Sequence, residues 1–183
     1  MSYQLRDALV DRIVEIQPSL NGFVRDHSAD AFDGSWDLVS YSFERGFEAL
    51  WDLAKADTSG LLEMPLLALW RQSVELAIKS AIFALVHRLD GKQGHNIQAL
   101  FKQLLAIRAD EGWHDDDELA QSVKGMIALV QSVDPFADRF RYPTDKSGKA
   151  YLGVTVDLDE LFQAHWIITT WCEGAVIEMR REC

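Results

Sequence analysis

The chain has 183 residues, a formal net charge of −11 at pH 7, and 48% hydrophobic against 26% charged residues. This composition excludes disordered, collagen-like and membrane classes, and the length predicts one domain that buries roughly 70% of the surface of its unfolded chain. The excess of acids argues against a general nucleic-acid coat, which needs Lys and Arg to neutralise phosphates, but it leaves room for a local basic surface.

Hydrophobic residues spaced three or four apart predict five or six helices along the chain. The first predicted helix spans residues 3–17, and residues 24–35 are expected to form a polar loop. The second spans 36–55, and a break at 57–60 separates it from the third, which spans 61–89. The third segment is apolar on most of its sides, which is typical of a helix at the centre of a bundle.

Shorter helices are predicted for 95–108 and 119–133, the latter opened by a capping box from Asp115 to Glu118. A second such box, from Asp157 to Glu160, opens the last helix. Between them, residues 138–156 alternate aromatic and charged side chains around a turn, which favours a small β-hairpin or an extended loop. The sequence therefore predicts an all-α, up-and-down bundle with this hairpin or loop before its last helix.

The cysteines and the first residues bear on the compartment. Cys172 and Cys183 form neither a disulfide framework nor a zinc motif, so we expect one core thiol and one tail thiol. The first residues lack the apolar segment of a signal peptide, and no apolar run approaches a membrane span. We expect a cytoplasmic protein without metal or cofactor, folded as a single domain over 1–183 with 1–34 as an N-terminal extension.

Three segments resemble the signature of HEPN-like helical bundles. The third predicted helix contains the pattern R-x3-E-L-x2-K, and the next segment is similar to G-H-x-L-x2-L. A later segment is similar to a loop of some bacterial members. The residues that carry the resemblance, which covers about 61–180, are Arg71, Glu75, Lys79, Gly94, His95, Leu100, Phe140, Arg141, Tyr142, Pro143, Asp145 and Gly148.

The resemblance implies an all-α HEPN-like fold, a homodimer, and a role with RNA or nucleotides in a prokaryotic stress or defence context. Many HEPN proteins cleave RNA, whereas others bind without catalysis or partner a nucleotidyltransferase. Catalytic members carry Arg and His, four to six residues apart, near the start of the last conserved helix. The matching region, 139–148, is followed by no such histidine. We therefore expect a non-catalytic binding or interaction protein, with a metal-independent RNA endonuclease as the alternative.

Arg88 and His95 are the catalytic candidates of that alternative, because six residues separate them. A histidine transfers protons near neutral pH, and an arginine stabilises a pentavalent phosphate. Their position between two helices also fits a structural role, in which Arg88 caps one helix and His95 the next.

Ligand-binding candidates lie in two places. A ladder of alternating charge on the third helix either presents an anion-binding face or, if buried, fixes the register of that helix. A basic and aromatic segment offers cations for phosphate and tyrosines for base stacking, with a solvated hairpin as the alternative. The candidates are Arg71, Glu75 and Lys79 in the ladder, and Arg139, Arg141, Tyr142, Lys146 and Lys149 in the segment.

Two further features favour structural roles. His165 lies on the apolar stripe of the last helix, so we expect it to be hydrogen-bonded in the core or at a dimer interface. The acids of 110–118 do not have the spacing of a metal site, so we expect them to cap a helix and to be solvated.

Overall fold

The computed structural model describes residues 35–181, apart from Asp90, Lys92 and Gln93, together with Ala8, Asp11 and Arg12. The chain divides into two units, Met1–Gly34 and Ser35–Cys183. The three described residues of the first unit are helical. The remainder of the predicted helix 3–17, and residues 24–34 of the predicted loop, lie outside the described residues. The single domain over 1–183 stays a prediction.

The described part of the second unit contains five α-helices. Each of the helices predicted over 36–55, 61–89, 95–108 and 119–133 is confirmed, and so is the last helix. No described helix is long and apolar enough to cross a bilayer. The bounds are α1, Trp36–Ala56; α2, Glu63–Val86; α3, Ile97–Asp110; α4, Glu118–Val133; and α5, Leu158–Arg181.

Helix α2 lies at the centre of this bundle, as its apolar sequence predicts. It packs against α1, α3 and α5, and α4 contacts α3 and α5. Every fourth residue from Leu66 to Ile82 is buried, which gives α2 one continuous apolar face. Burial of such faces against neighbouring helices is the main source of helix stability in a bundle, because an isolated helix is marginal in water. The core cluster that contains this face of α2 also includes Phe47, Leu100, Leu104, Ile127 and Ile168.

The helix ends differ from the predicted caps by one or two residues. The residue that ends α2 is His87, in the left-handed region with φ of 52°, rather than Arg88. The N-cap of α3 is Asn96 rather than His95, and its side chain accepts from the Ala99 N–H at 2.8 Å. A short oxygen-bearing side chain on extended backbone reaches that N–H, which is why Asn, Asp, Ser and Thr are preferred at N-caps.

The two predicted capping boxes have different outcomes. The N-cap of α4 is Asp117 rather than Asp115, and it accepts from the Ala120 N–H at 2.9 Å. At α5, Asp157 is confirmed as the cap, because its Oδ1 accepts from the N–H groups of Asp159 and Glu160. The expectation that Asp115 caps is wrong because its carboxylate binds an arginine instead.

The described residues between α4 and α5 form no strand, only an isolated β-bridge between Thr144 and Ala150. The segment is therefore an extended loop rather than a hairpin. Its turn is closed by the carboxylate of Asp145, which accepts from the backbone N–H groups of Ser147 and Lys149. Gly148 supplies the left-handed backbone that this turn needs, with φ of 85°.

Candidate functional site

A buried carboxylate in the middle of α2 gathers three donors around it. The Glu75 side chain is only 1% exposed. Its Oε1 accepts from Lys79 Nζ at 2.7 Å, and its Oε2 accepts from Arg71 Nη1 at 3.2 Å. His95 Nδ1 lies 3.0 Å from Oε1 and 3.2 Å from Oε2. Partners of this kind are what allow a carboxylate to remain charged in a protein interior. We call Arg71, Glu75, Lys79 and His95 the Glu75 cluster.

Local structure explains how the four side chains meet. Arg71 and Lys79 lie four residues before and after Glu75, which places all three on one side of α2. His95 comes from the connection between α2 and α3, and Arg71 Nη2 donates to its backbone carbonyl. Arg71 therefore pairs with Glu75 and also holds the main chain that carries the histidine.

The contact with Glu75 orients the imidazole of His95. A carboxylate only accepts hydrogen bonds, so the proton of this contact resides on Nδ1. In the neutral ring the free lone pair is then on Nε2. The His95 side chain is 60% exposed, in contrast to the buried Glu75 behind it. The ring thus presents an oriented Nε2 edge at the surface.

The electrostatics of Arg71 connect the cluster to the loop after α4. Burial lowers the pKa of Arg71, the carboxylates of Glu75 and Asp134 oppose that effect, and the positive charge of Arg141 adds to the lowering. The Nε of Arg71 is buried and has no hydrogen-bond partner among the described residues.

A glutamine fastens the same two regions together. The Ile97 N–H, at the start of α3, donates to Gln131 Oε1 at 3.0 Å. Gln131 Nε2 in turn donates to the Pro135 carbonyl at 2.8 Å. The segment that carries His95 and the loop after α4 are thus held at one end of the bundle, although the sequence motifs lie about 40 residues apart.

Arg139 has a structural role in the loop. Its Nη1 donates to the Val133 carbonyl at 3.1 Å and its Nη2 to the Leu152 carbonyl at 2.9 Å. Its guanidinium carbon lies 6.0 Å from the ring centroid of Tyr151. Arg139 therefore ties the two ends of the loop together, and its guanidinium is already engaged.

The other cations of the loop are exposed. Arg141, Lys146 and Lys149 lie at the surface with Tyr142, and the guanidinium carbon of Arg141 is 5.6 Å from the Tyr142 ring centroid. Arginine and tyrosine in this arrangement form a cation–π pair that also suits a stacked base.

The acids of the loop are bound to donors. Asp134 Oδ1 accepts from the N–H groups of Asp138 and Arg139. Asp138 accepts from the Tyr151 hydroxyl at 2.7 Å, which raises the pKa of Tyr151 to about 12. The side-chain hydrogen bond from Ser147 lowers the pKa of Asp145. The carboxylates of Asp134, Asp138 and Asp145 thus serve the loop itself, and three of the four exposed charged side chains between α4 and α5 are cations.

Arg88 does not join this arrangement. It is exposed, and no hydrogen bond or ion pair links it to His95 or to another residue in the described part of the chain. The partner that the structure gives to His95 is Glu75.

A second buried cation was not predicted. Arg108 donates through Nε and Nη2 to both oxygens of Asp115 at 2.9 and 2.8 Å, through Nη2 to Glu178 Oε2 at 3.0 Å, and through Nη1 to the Ala175 carbonyl at 2.8 Å. Burial lowers the pKa of Arg108, but the hydrogen bonds and charges of Asp115 and Glu178 outweigh it and give a net rise. The expectation that the acids of 110–118 only cap and solvate is therefore wrong for Asp115.

The sequence contains a signal for the burial of Arg108. It follows Leu104 by four residues, and Leu104 follows Leu100 by four, so the arginine lies on the buried face of α3. A charge on an apolar face requires a counterion, and Asp115 is seven residues away.

His165 and Cys172 belong to the core. His165 is buried, with Nε2 2.9 Å from Ser73 Oγ and its ring centroid 4.2 Å from that of Phe47, so the predicted core hydrogen bond is confirmed. Burial lowers the pKa of His165 to about 4. Burial also raises the pKa of the Cys172 thiol to about 12.

No family model matches the sequence, and neither a curated protein nor a solved structure matches it. The HEPN resemblance therefore rests on the motif residues alone.

Proposed function

We propose that the chain is a HEPN-like protein that binds RNA or nucleotides without cleaving them, at the surface formed by His95, Lys79 and the exposed cations of the loop between α4 and α5. The observation that supports this most is the pair of hydrogen bonds of Gln131, which ties the start of α3, next to His95, to the loop after α4. The homodimer and the stress or defence context implied by the resemblance belong to the same proposal.

Different residues of this surface have different roles. Arg71 and Glu75 are buried, so they position His95 and Lys79 rather than touch a ligand. Arg141, Lys146 and Lys149 are exposed and supply positive charge for phosphates. Tyr142 offers a ring on which a base stacks. The overall charge of −11 keeps such binding local to this surface.

Fluorescence anisotropy with a labelled single-stranded RNA and a labelled RNA hairpin tests this proposal, in EDTA and at several salt concentrations. We expect dissociation constants on the order of 1–100 μM at physiological salt, as for binding without sequence preference. Arg141→Ala removes one phosphate contact, so the salt slope falls by about 0.7 for the single strand and affinity falls about fivefold at 0.1 M salt. Lys146→Ala with Lys149→Ala lowers the slope by about 1.4.

Lys102→Ala is the matched control, because Lys102 is an exposed cation on α3 outside the proposed surface. It removes the same charge and should leave the salt slope unchanged. Absence of RNA binding at 50 mM salt would overturn the proposal and would favour the protein-interaction role. A loss of affinity in Lys102→Ala equal to that in Arg141→Ala would do the same.

RNA cleavage is the second candidate function, and the oriented imidazole of His95 is the observation that favours it. With Nδ1 held by Glu75, Nε2 is free to accept the proton of a ribose 2′-hydroxyl. The 2′-oxygen would then bond to the adjacent phosphorus, and the 5′-oxygen would leave with a proton from solvent. Arg141 and Lys79 would stabilise the extra negative charge on the phosphate.

The same RNAs, followed on denaturing gels in EDTA, separate the two functions. Cleavage by the wild type that His95→Ala abolishes, and that Arg88→Ala leaves intact, would establish a ribonuclease centred on the Glu75 cluster. Binding without cleavage leaves the first proposal standing.

A further inference from the structure

A cavity of about 410 Å³ lies away from the Glu75 cluster, between α5 and the α3–α4 connection with the first turn of α4. Its volume falls within the range of ligand sites. Two large apolar side chains that line it are exposed, Leu119 by 53% and Trp166 by 60%. Exposed apolar side chains around one concave surface are typical of a place where a partner binds.

One side of α5 forms the floor of the cavity. Trp166, Thr170, Gly174 and Glu178 all line it, at intervals of four residues along one helix. Because an α-helix rises about 1.5 Å per residue, neighbours in this row are about 6 Å apart and the whole row is about 18 Å long. The cavity is therefore an elongated groove, with an apolar ring at one end of its floor and a carboxylate at the other.

Gly174 leaves the floor of the groove open between these two ends. Apart from its own stretch of helix, no atom of the described residues lies within 4 Å of the place that a Cβ on Gly174 would take. At Gly46, by contrast, the same place is 3.6 Å from a side-chain carbon of Leu69. Glycine is unfavourable inside a helix, and packing among the described residues does not require it at position 174. The gap above Gly174 has room for a side chain from another molecule.

The charge of the groove favours a basic partner. Three carboxylates line it, those of Asp115, Asp117 and Glu178, against one cation, Arg108, which gives a formal net charge of −2. The guanidinium of Arg108 is already bonded to Asp115, Glu178 and the Ala175 carbonyl, so it is not available to an acidic partner. In a symmetric contact with a second copy, this excess of acids would face itself. The charge therefore favours a different protein over a second copy.

Glu178 is suited to bind a Lys or Arg side chain of such a partner. Its side chain is 50% exposed, and the hydrogen bond to Arg108 uses only Oε2. Oε1 accepts no hydrogen bond from the residues that the structure describes. It can therefore accept one from an ammonium or guanidinium group that approaches from the groove.

The dimensions of the groove fit an extended chain. In an extended peptide, alternate side chains lie on one face about 6.6–6.8 Å apart, close to the spacing of about 6 Å in the row on α5. A segment of about seven residues therefore places four side chains along the row. A helix of the same length and about 10 Å in diameter fills about 1,400 Å³, more than three times the volume of the cavity.

We propose that this groove binds an extended basic segment of a partner protein. One apolar side chain of the segment packs over Gly174, and a Lys or Arg two residues further along the segment binds Glu178. A second apolar side chain, four residues from the first on its other side, packs against Trp166. Each contact is made by a different residue of the segment, as the length of the row requires.

Isothermal titration calorimetry with the full chain tests this proposal. The probe is the peptide Leu-Thr-Ala-Thr-Leu-Thr-Lys with blocked ends, made in both sequence orders because an extended chain can run either way along α5. We expect saturable binding in at least one order. In that order, glycine in place of the leucine nearest the lysine should weaken binding at least tenfold, because the groove buries that side chain. Glutamate in place of the lysine should weaken it at least fivefold.

A variant at Gly174 locates the apolar contact. Gly174→Leu fills the gap from within the chain, so it should weaken binding at least tenfold. Gly125→Leu is the matched control, because Gly125 is an exposed glycine inside α4, outside the cavity, with the same open space at its Cβ position. Neither variant should lower Tm, because leucine is a better helix former than glycine.

A variant at Glu178 locates the charged contact. In Glu178→Gln, the peptide with lysine and the same peptide with serine in its place should bind equally, whereas the wild type should prefer lysine. Glu173→Gln is the matched control, since Glu173 is an exposed carboxylate of α5 outside the cavity.

Three results would overturn the proposal. The first is absence of saturable binding by either peptide order at millimolar concentration. The second is an affinity in Gly174→Leu equal to that in Gly125→Leu. The third is a wild-type dimer, measured by light scattering, that Gly174→Leu but not Gly125→Leu converts to monomer, because the groove would then hold a second copy of the chain.

Discussion

Replacing Glu75 with glutamine removes the carboxylate that faces Arg71, Lys79 and His95. Arg71 is 2% exposed and loses its nearest counterion, whereas Lys79 and His95 reach solvent and can be hydrated again. Removing one partner of a buried ion pair destabilises a protein by about 3–5 kcal/mol. A chain of this size loses about 2–4 °C of Tm per kcal/mol, so Glu75→Gln should lower Tm by roughly 6–20 °C.

Urea unfolding followed by far-ultraviolet circular dichroism measures the change, with the m-value as a check that the unfolded state is unaltered. Glu48→Gln is the matched control, because Glu48 pairs with an exposed Arg45 three residues away on α1. Its effect should stay below about 1 kcal/mol.

A double variant tests whether the loss of stability comes from the buried charge that is left unpaired. Arg71→Met with Glu75→Leu removes both buried charges, so it should be less destabilised than Glu75→Gln alone. The buried pair of Arg71 and Glu75 does not have this role if the free energy of unfolding of Glu75→Gln lies within about 1 kcal/mol of the wild type, or if the double variant is less stable than Glu75→Gln.

Two further predictions concern the core. His165 has a folded-state pKa of about 4, against an ordinary value of 6.5. Between these pH values His165 is protonated in the unfolded chain but not in the folded chain. The free energy of unfolding therefore falls by up to about 3 kcal/mol as pH drops from 6.5 to 4. The stability difference between wild type and His165→Gln, from urea unfolding at each pH, should shrink by that amount, and a constant difference would contradict it. Cys172 is buried with a pKa of about 12, so in a Cys183→Ser background a disulfide reagent such as Ellman's should react at pH 8 only after unfolding in guanidinium. Rapid stoichiometric reaction of the folded protein would refute this burial.

The helices could be predicted from the sequence because their signal is local. The repeat from Leu66 to Ile82 sets the buried face of α2, and its apolar neighbours account for its central place. The caps were harder, since Asn96 competes with His95, and Asp117 with Asp115, over one or two positions. Backbone geometry decides which of two neighbouring residues becomes the cap, and the spacing of residues in the sequence carries no information on that geometry.

The candidate site could be predicted only in pieces. The ladder on α2 is visible as an i, i+4 pattern, but Glu75 meets His95 across 20 residues and through a turn. Arg108 meets Glu178 across 70 residues. Such contacts depend on how helices pack, and hydrophobic periodicity indicates which faces are buried without saying which residues meet there.

In the loop between α4 and α5, the side chains that hold the loop in place are different from those that we propose to contact a ligand. Arg139 bonds the loop to the end of α4 at Val133 and also to Leu152, and the hydrogen bond of Tyr151 to Asp138 joins the two sides of the loop. Asp145 closes the turn of 144–149 through contacts within the turn itself. The turn can therefore be shortened, lengthened or exchanged while the anchors and the helices keep their places. For protein engineering, the turn is the natural position at which to graft a new binding sequence onto an unchanged scaffold.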